Sequence, residues 1–495
     1  MKNSLRTLLF IFILAVVSAP AQISQFQHII LVFQENRTPD NLFYMLCANF
    51  LCSTTPNNTQ YNIQTADWLD NTSPNGVRQP KGILLSPSGA HKVGHSHTAW
   101  AHQCDLNKNV NPQCRMDGAA WTSANRGAFA YVLNTVNTKY PNGVLTPYLT
   151  MATQYGWANF MFQTNQGPSF PAHQFIFGGT SALDADGDVQ GEFMAENPTG
   201  SVSGCYAQDG NRIQMINPAG MEKTLTVNYA AGITTCLTRT TMAELLESAN
   251  VGWKYYSIKG GGTDRGASYW TAPNTSQAIC EPDAKHKSCT NREWANHVDL
   301  KSADILSDLG LNGSPCTVQG INKFQGVSWV IPSGGQSDHG KAWEGPDWVG
   351  SIVNALGTSP CRNPDGSSYW NTTAVVITWD DWGGWYDHVP PPILPFPEGG
   401  YQMGFRVPLL FVSAYTPVGY IDNLNYDFGS VLRFIENNFD LGEGMLGFAD
   451  SRASTDFSTF YNLSRFPRPF VPIPTVKTGI DFLNDKTPAT DPDDD

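Results

Sequence analysis

Four apolar runs rich in β-branched residues constrain the fold of this chain more than any other feature. Each has the length of a strand, and they are widely separated, at residues 28–33, 327–331, 374–379 and 407–412. Near-continuous hydrophobicity, rather than alternation of apolar and polar residues, is typical of central strands buried on both faces. Helical patterns separate or follow the runs, as at 241–249 and 429–439. Strands interleaved with helices predict an α/β fold with a largely parallel central sheet and helices on both faces.

The two ends of the chain differ from its middle. Residues 1–21 have the three parts of a secretory signal peptide, which are a positively charged start, an apolar stretch at 8–17 and small residues before a cleavage point. That stretch is shorter than the roughly 20 residues a membrane-spanning helix needs, and no later run reaches this length. We predict a signal peptide at 1–21, a single domain at 22–485 and an acidic tail at 486–495. The protein is expected to be secreted, to the periplasm or outside the cell, with no transmembrane segment after signal removal.

Ten cysteines follow the predicted signal peptide, and none of them forms a C-x-x-C motif. In an exported protein an even number of cysteines favours disulfides over metal binding. Neighbours in the sequence fall into five short-loop pairs, and we predict sequential pairing, although spacing alone does not fix the connectivity. Long polar stretches at 53–90, 196–238 and 258–300 then become disulfide-stapled loops around a pocket.

The charge balance excludes one large class of function. The 43 acidic and 30 basic residues give a net charge of −13, and no cluster of Lys or Arg stands out. Nucleic-acid binding needs a cationic face, so no nucleic-acid partner is expected. With 41% hydrophobic and 15% charged residues, the chain also has too much apolar content for a disordered protein.

Acidic and amide side chains follow two of the apolar runs. Glu35 and Asn36 come shortly after the first run, and Asp380 and Asp381 come directly after the third. Ligands of parallel α/β sheets gather at the carboxyl ends of strands, and adjacent aspartates there need a cation or a basic partner. Together the four side chains can form an oxygen-rich cage for one hard metal ion. The alternative is structural, with Glu35 in a salt bridge near Arg37, Asn36 capping a turn and the aspartates capping a following helix.

A hydroxyl and two histidines are the remaining candidates for chemistry. Ser169 lies at the start of a predicted helix, where backbone N–H groups suit a phosphate, although such a serine is more often only an N-cap. His339 follows the second apolar run, and a histidine beyond a strand end can protonate a departing oxygen. His95 lies in a histidine-rich segment, where zinc binding is less favoured because no recognisable spacing completes a tetrahedral ligand set.

Four motifs carry a resemblance to a known family, and they lie at 29–37, 167–171, 337–339 and 378–389. Together they resemble the bacterial phosphoesterase family that contains secreted phospholipases C and acid phosphatases, which is similar to the alkaline-phosphatase superfamily. Because four motifs occur in the family's order, chance resemblance is improbable. The resemblance implies an alkaline-phosphatase-like fold and a single phosphoesterase domain at 22–485.

The resemblance also implies a metal centre. It gives one divalent ion, with a hard cation such as Ca²⁺, Mg²⁺ or Mn²⁺ favoured, and as its ligands Glu35, Asn36, Asp380 and Asp381. The family commonly has Asp-Glu-His before a glycine pair where this chain has Asp381 and Trp382. It also has Pro where this chain has Gly340. A shorter carboxylate and a bulky indole can change the choice of metal or the fit of substrate.

The catalytic roles implied by the resemblance are a hydroxyl nucleophile for Ser169 and phosphate-side positions for His95 and His339. The expected activity is that of a secreted, metal-dependent phosphoric ester hydrolase that forms a phosphoseryl intermediate. The substrate is a phosphomonoester or a phospholipid or other phosphodiester, and the sequence leaves this choice open.

Two alternatives come from other classes of protein. A carboxylic-ester hydrolase would need a G-x-S-x-G elbow, and the nearest approach, at 167–171, ends in Pro. A non-catalytic secreted protein could instead hold carbohydrate or lipid in its tryptophan-rich loops, such as the one containing Trp379, Trp382 and Trp385.

Overall fold

The computed structural model describes residues 24–492, apart from 86–92, 108–112, 123–125, 201–202, 218, 220, 261–265, 267–268, 340–342 and 395–402. The predicted signal peptide at 1–21 therefore lies outside the described residues, as do Gly340 and the last three residues of the acidic tail. None of the helices within the described ranges has the length and hydropathy to cross a lipid bilayer.

A central sheet of eight strands organises the part of the chain that the structure describes. The strands are β1 (His28–Gln34), β2 (Gly156–Met161), β3 (Trp253–Tyr256), β4 (Val298–Asp299), β5 (Val327–Val330), β6 (Thr373–Trp379), β7 (Leu409–Ser413) and β8 (Tyr420–Tyr426). Their order across the sheet is β4-β3-β5-β1-β6-β7-β2-β8. All neighbours are parallel except the two that flank β7. The prediction of a largely parallel sheet is confirmed.

Strand β7 is antiparallel because of how the chain enters it. The segment after β6 returns to the sheet without an intervening helix among its described residues, so β7 starts at the edge where β6 ends. A parallel neighbour would need a crossover back to the opposite edge. The hydrophobic pattern at 407–412 predicted a buried strand here, and all five residues of β7 are buried.

The register of β1 and β6 brings their carboxyl ends to one level. The two strands pair along their whole length, from His28 opposite Thr373 to Gln34 opposite Trp379. All seven residues of each strand are buried, as the continuous apolar runs predicted. The polar residues that follow the two strands therefore leave the sheet side by side.

The α-helices of the described ranges are α1 (Pro39–Leu42), α2 (His97–Cys104), α3 (Thr146–Gln154), α4 (Ser169–Gly178), α5 (Ala185–Gln190), α6 (Met242–Ser248), α7 (Arg292–His297), α8 (Asp304–Asp308), α9 (Gly345–Gly357), α10 (Tyr369–Thr372), α11 (Phe428–Asn438), α12 (Ala449–Arg452) and α13 (Gly479–Asn484). They form two contact groups, one of α3, α8, α9, α10 and α13 and the other of α4, α6, α11 and α12. The predicted helices at 241–249 and 429–439 correspond to α6 and α11.

Shorter strands build small sheets outside the central one. Arg212–Ile216 pairs with Phe193–Met194 and Glu222–Thr226 in a three-stranded sheet. Two-stranded pairs are formed by Trp68–Leu69 with Val77–Arg78, Lys81–Ile83 with Ala130–Val132, Leu106–Asn107 with Gln113–Cys114, and Thr317–Val318 with Ile321–Asn322.

Five disulfides cross-link segments outside the central sheet, and all five join cysteines that are neighbours in the sequence. The pairs are Cys47–Cys52, Cys104–Cys114, Cys205–Cys236, Cys280–Cys289 and Cys316–Cys361. The prediction of sequential pairing agrees with this connectivity.

Helices α11 and α12 face each other through two buried carboxyl groups. Glu436 accepts hydrogen bonds from the backbone N–H groups of Gly444 and Met445, and Asp450 accepts one from that of Phe448. Burial, and then repulsion by Asp450, raises the pKa of Glu436 from 4.5 to about 7. The folded state therefore binds a proton at Glu436 in a pH range where the unfolded chain has released it.

The contribution of Glu436 to stability is expected to fall as pH rises across this range. Because the folded-state pKa of Glu436 is the higher one, its contribution to stability is fully present below about pH 4.5 and is lost as pH rises through about 7. The Glu436→Gln variant should show a smaller fall in unfolding midpoint between pH 4.5 and 8 than the wild type. Thermal unfolding followed by circular dichroism measures both slopes. Glu443→Gln, a change at an exposed neighbour, should keep the wild-type slope, and equal slopes in all three proteins would contradict the prediction.

Candidate active site

The four predicted metal ligands meet where β1 and β6 end. Asp380 N–H donates to the Gln34 carbonyl at 2.9 Å, continuing the pairing of the two strands. Asn36 N–H donates to Asp380 Oδ1 at 3.1 Å, and the backbone of Asn36 has a φ of 61° that turns the chain there. Glu35, Asn36, Asp380 and Asp381 are all fully buried. No helix begins at the aspartates, because the stretch from 380 to 394 is turn and coil, so the helix-cap alternative is wrong for them.

His173 joins this cluster, and the sequence reasoning missed it. Its Nε2 lies 3.7 Å from Glu35 Oε1 and 3.8 Å from Asp380 Oδ2, which is beyond hydrogen-bond distance. Tyr255 donates its hydroxyl proton to the Trp270 carbonyl at 2.7 Å and lies 3.4 Å from His173 Nδ1. This contact assigns the ring proton to Nδ1, so a lone pair on Nε2 faces the two carboxylates. Burial lowers the pKa of His173 to about 4, which keeps the ring neutral at neutral pH.

A signal for His173 was present in the helical period. Ser169 is the first residue of α4 and His173 lies four positions later, on the same face of the helix. Because Ser169 is a candidate site residue, the i, i+4 spacing predicts that His173 lies on the side of the helix that faces the same site.

The cluster fits a metal cation. One ligand atom from each of Glu35, His173 and Asp380 lies within 4.8 Å of the others, and all three residues are buried. Two ligands of one cation at about 2.1 Å stand roughly 3–4 Å apart, which matches the distances of 3.7 and 3.8 Å from His173 Nε2 to Glu35 Oε1 and Asp380 Oδ2. Asn36 Oδ1, His173 Nε2 and Asp380 Oδ2 have no hydrogen-bond partner among the described residues. Buried acceptors without a donor or a cation are costly, so this donor set suits a divalent ion.

Ser169 lies against the same cluster. Its Oγ donates to Asp381 Oδ2 at 3.3 Å. The N-cap of α4 is Pro168 rather than Ser169, so the serine is not the simple N-cap that residue type alone favoured. Asp381 Oδ1 accepts from Gly383 N–H at 2.7 Å, which fixes the carboxylate with its second oxygen toward the serine.

The two predicted histidines lie near each other beside the cluster. The ring centroids of His95 and His339 are 6.2 Å apart, and His95 Nε2 lies 3.4 Å from Asn36 Nδ2. Trp382 meets the His95 ring edge-on at 6.2 Å, and Gln163 and Gln103 hold its backbone and indole N–H groups. The indole that departs from the family pattern therefore fills space next to His95.

Arg37 and Asp338 connect the β1 loop to the His339 loop. The Arg37 guanidinium donates to the Asp338 carbonyl at 2.6 Å, while Tyr148 and Trp379 both donate to Asp338 Oδ2 at 2.9 Å. Burial raises the pKa of Asp338 to about 6, with Arg37 opposing the shift. The arrangement sets the position of His339 relative to the end of β1.

Glu196 and Asn197 connect the two helix starts that border the site, and nothing in the sequence pattern indicated them. Glu196 Oε1 accepts from His97 N–H, the first residue of α2, at 2.7 Å. Asn197 Oδ1 accepts from Phe170 N–H, the second residue of α4, at 2.9 Å. Burial raises the pKa of Glu196 to about 7. One short segment thus sets the spacing between the Ser169 helix and the helix that follows His95.

The chain is similar to proteins of one known family. The sequence profile of the Phosphoesterase family matches residues 26–442. The non-hemolytic phospholipase C of Burkholderia pseudomallei is 27% identical over 237 residues, which are 40% of this chain and 32% of that protein. Phospholipase C A of Mycobacterium tuberculosis is 27% identical over 261 residues, 45% of this chain and 44% of that protein.

The matches cover less than half the length of these curated relatives. Among solved structures, a protein in the alkaline phosphatase superfamily from Vibrio parahaemolyticus is 10% identical with a TM-score of 0.32. That match covers 62% of this chain and 63% of the other.

Proposed function

The chain belongs to the Phosphoesterase family, and from that membership we propose that it is a metal-dependent hydrolase of phosphoric esters with Ser169 as its nucleophile. The observation that carries the proposal is the contact between Ser169 Oγ and Asp381 at the edge of the cation-fitting cluster. A hydroxyl at the N-terminus of a buried helix, beside carboxylates that suit a cation, is arranged for attack on phosphorus.

One divalent ion is proposed for the cluster, with Glu35, His173 and Asp380 as ligands and Asn36 and Asp381 completing the set. When bound, such an ion lowers the pKa of a nearby hydroxyl and offsets negative charge on a phosphoryl group. The imidazole nitrogen alters the metal expected from oxygen ligands alone. A mixed set of one nitrogen and several oxygens suits Mn²⁺ or Zn²⁺ better than Ca²⁺, which prefers oxygen ligands only.

The chemical steps follow from the protein groups. Ser169 Oγ gives its proton to Asp381 and attacks phosphorus, so that an Oγ–P bond forms as the bond from phosphorus to the leaving oxygen breaks. His339 donates a proton to that oxygen, which departs as an alcohol. A water then attacks phosphorus and gives a proton to His339. The Oγ–P bond breaks as Asp381 returns its proton to Ser169 Oγ. His95 and Asn36 hold the non-reacting phosphoryl oxygens.

We also propose a substrate class and a cellular location for the enzyme. The substrate is a phosphomonoester or a phosphodiester, and the names of the relatives make phospholipids one candidate among the diesters. Five disulfides are typical of a protein that works in an oxidising compartment, so we propose that the enzyme is exported.

Hydrolysis of three chromogenic esters tests the class of reaction. We expect release of p-nitrophenol from p-nitrophenyl phosphate or bis-p-nitrophenyl phosphate, loss of that release after dialysis against EDTA, and recovery when Mn²⁺ or Zn²⁺ is added. The ester p-nitrophenyl butyrate should not be cleaved. The ratio of the two phosphate rates assigns the enzyme to monoesters or diesters.

Other outcomes of this assay would overturn the proposal. EDTA-insensitive cleavage of the butyrate would indicate a carboxylic-ester hydrolase. No turnover of any ester at any metal concentration would favour the secreted binding protein, whose ligand would then be sought among carbohydrates and lipids.

A further inference from the structure

A second group of side chains that can bind a metal lies at the end of the central strands opposite to the candidate active site. Glu247 comes from α6, and Glu293 and His297 come from α7. Glu247 and His297 both contact Trp253, the first residue of β3. Trp253 is opposite Val327 of β5, which is opposite Ile29 of β1. Those positions are at the amino ends of the strands, whereas the candidate active site lies beyond their carboxyl ends.

The three ligand atoms converge on one point. His297 Nε2 lies 3.3 Å from Glu293 Oε2, and one atom from each of the three residues lies within 4.8 Å of the others. Glu293 and His297 are four residues apart on α7 and so share a face of that helix. The side chains are half-buried or exposed, which leaves a route for an ion from solvent.

Trp253 forms hydrogen bonds with two of the three ligands and thereby fixes their orientation. Its indole N–H donates to Glu247 Oε1 at 2.8 Å, which leaves the other carboxylate oxygen for a ligand. Its carbonyl accepts from His297 Nδ1 at 2.8 Å, which assigns the proton to Nδ1 and leaves the Nε2 lone pair on the side of the two glutamates. The imidazole also stacks on the indole, with centroids 4.4 Å apart and planes 10° from parallel.

These outer contacts are the kind that metal-binding side chains have. A metal-bound histidine normally donates its second ring N–H to a carbonyl or carboxylate, and bound carboxylates are themselves hydrogen-bonded. Here one residue supplies both contacts, and Trp253 is itself only 1% exposed. A surface ion pair between Glu293 and His297 would need neither the fixed ring nor the oriented Glu247.

We propose that Glu247, Glu293 and His297 bind a divalent transition-metal ion of the Zn²⁺ type, separate from the ion of the active site. One imidazole nitrogen and two carboxylate oxygens, with water in a fourth position, satisfy Zn²⁺. Ca²⁺ takes six to eight oxygen ligands and Mg²⁺ prefers oxygen in an octahedron, so neither suits this set.

The ion joins α6 to α7 and thereby holds the end of the sheet. Strand β4 has only two residues, follows directly after His297 and forms the outermost strand next to β3. Fixing α7 limits the fraying of this short edge strand. Because the ion binds the folded state, its effect on stability grows with its concentration.

Zinc stoichiometry of the full-length protein tests the site. After removal of metals and equilibrium dialysis at pH 7.5, the wild type should bind two Zn²⁺ per chain. His297→Asn and Asp380→Asn should each bind one, and the double variant none. His102→Asn, at an exposed histidine on α2, is the matched control and should still bind two. Added Zn²⁺ should raise the unfolding midpoint of Asp380→Asn by several degrees and leave that of the double variant unchanged.

A second variant keeps the site testable if His297→Asn fails to fold. Glu247 is exposed, and Glu247→Gln should weaken binding of the second Zn²⁺ by about 10-fold or more, because loss of an outer contact alone typically costs that much, without loss of ester hydrolysis. Two Zn²⁺ bound by His297→Asn, or one bound by the wild type and lost in Asp380→Asn, would overturn the proposal. Both readouts are independent of whether the active site hydrolyses phosphoric esters.

Discussion

The Ser169→Ala variant is expected to lose turnover of phosphoric esters by on the order of 10³-fold or more, because no other group can take the place of a covalent nucleophile. The side chain is fully buried, and within the described part of the chain its hydroxyl donates to Asp381 Oδ2 at 3.3 Å. Removing this hydroxyl deletes few packing contacts, so the unfolding midpoint should change little. Steady-state rates on p-nitrophenyl phosphate and bis-p-nitrophenyl phosphate measure the loss.

Ser181→Ala provides the matched control for this variant. Ser181 is also fully buried, lies three residues after the end of α4 and donates to the Met194 carbonyl. It should keep most of the wild-type rate despite losing a comparable hydrogen bond. Acid quenching during turnover of ³²P-labelled substrate should trap label on the wild type and not on Ser169→Ala. A labelled Ser169→Ala protein, or one with more than about a tenth of the wild-type rate, would contradict the role of the serine.

Much of the site could be predicted because it depends on local pattern. Continuous apolar runs indicated β1 and β6, and parallel strands deliver the residues after them to one edge. Glu35 and Asp380 therefore meet for a reason that is visible in the sequence. The five disulfides also joined cysteines that are neighbours in the sequence, with separations from 5 to 45 residues, and shorter loops cost less entropy to close.

The rest depends on contacts between distant segments. The partners of Glu196 and Asn197 are decided by how a loop lies across α2 and α4, and no periodicity encodes that. The antiparallel course of β7 depends on the route of the chain after β6, which hydrophobicity does not reveal. His173 is the intermediate case, because its spacing from Ser169 was visible but its neighbours Glu35 and Asp380 come from strands far away in the chain.

Replacing Asp380 by Asn is expected to abolish metal binding at the active site and to lower turnover by on the order of 10²-fold or more. Asp380 Oδ2 faces His173 at 3.8 Å, while its Oδ1 accepts from the backbone N–H groups of Asn36 and Asp381. The amide keeps the size of the side chain and loses the charge that a cation needs. Rates are measured after dialysis against EDTA, with Mn²⁺, Zn²⁺, Mg²⁺ and Ca²⁺ added back singly.

A variant at His173 distinguishes activity lost through weaker metal binding from activity lost through misfolding. If its Nε2 is a ligand, His173→Asn should lower metal affinity by about 10-fold or more, because loss of an outer contact alone typically costs that much, and saturating metal should restore most of the rate. In Asp380→Asn no concentration of metal should do so. Asp347→Asn removes a carboxylate that is also buried but, within the described ranges, accepts from the backbone N–H groups of Val476 and Lys477, so its metal dependence should match the wild type. Unchanged metal affinity in His173→Asn would exclude the histidine as a ligand, because the loss of one of few donors cannot leave affinity intact.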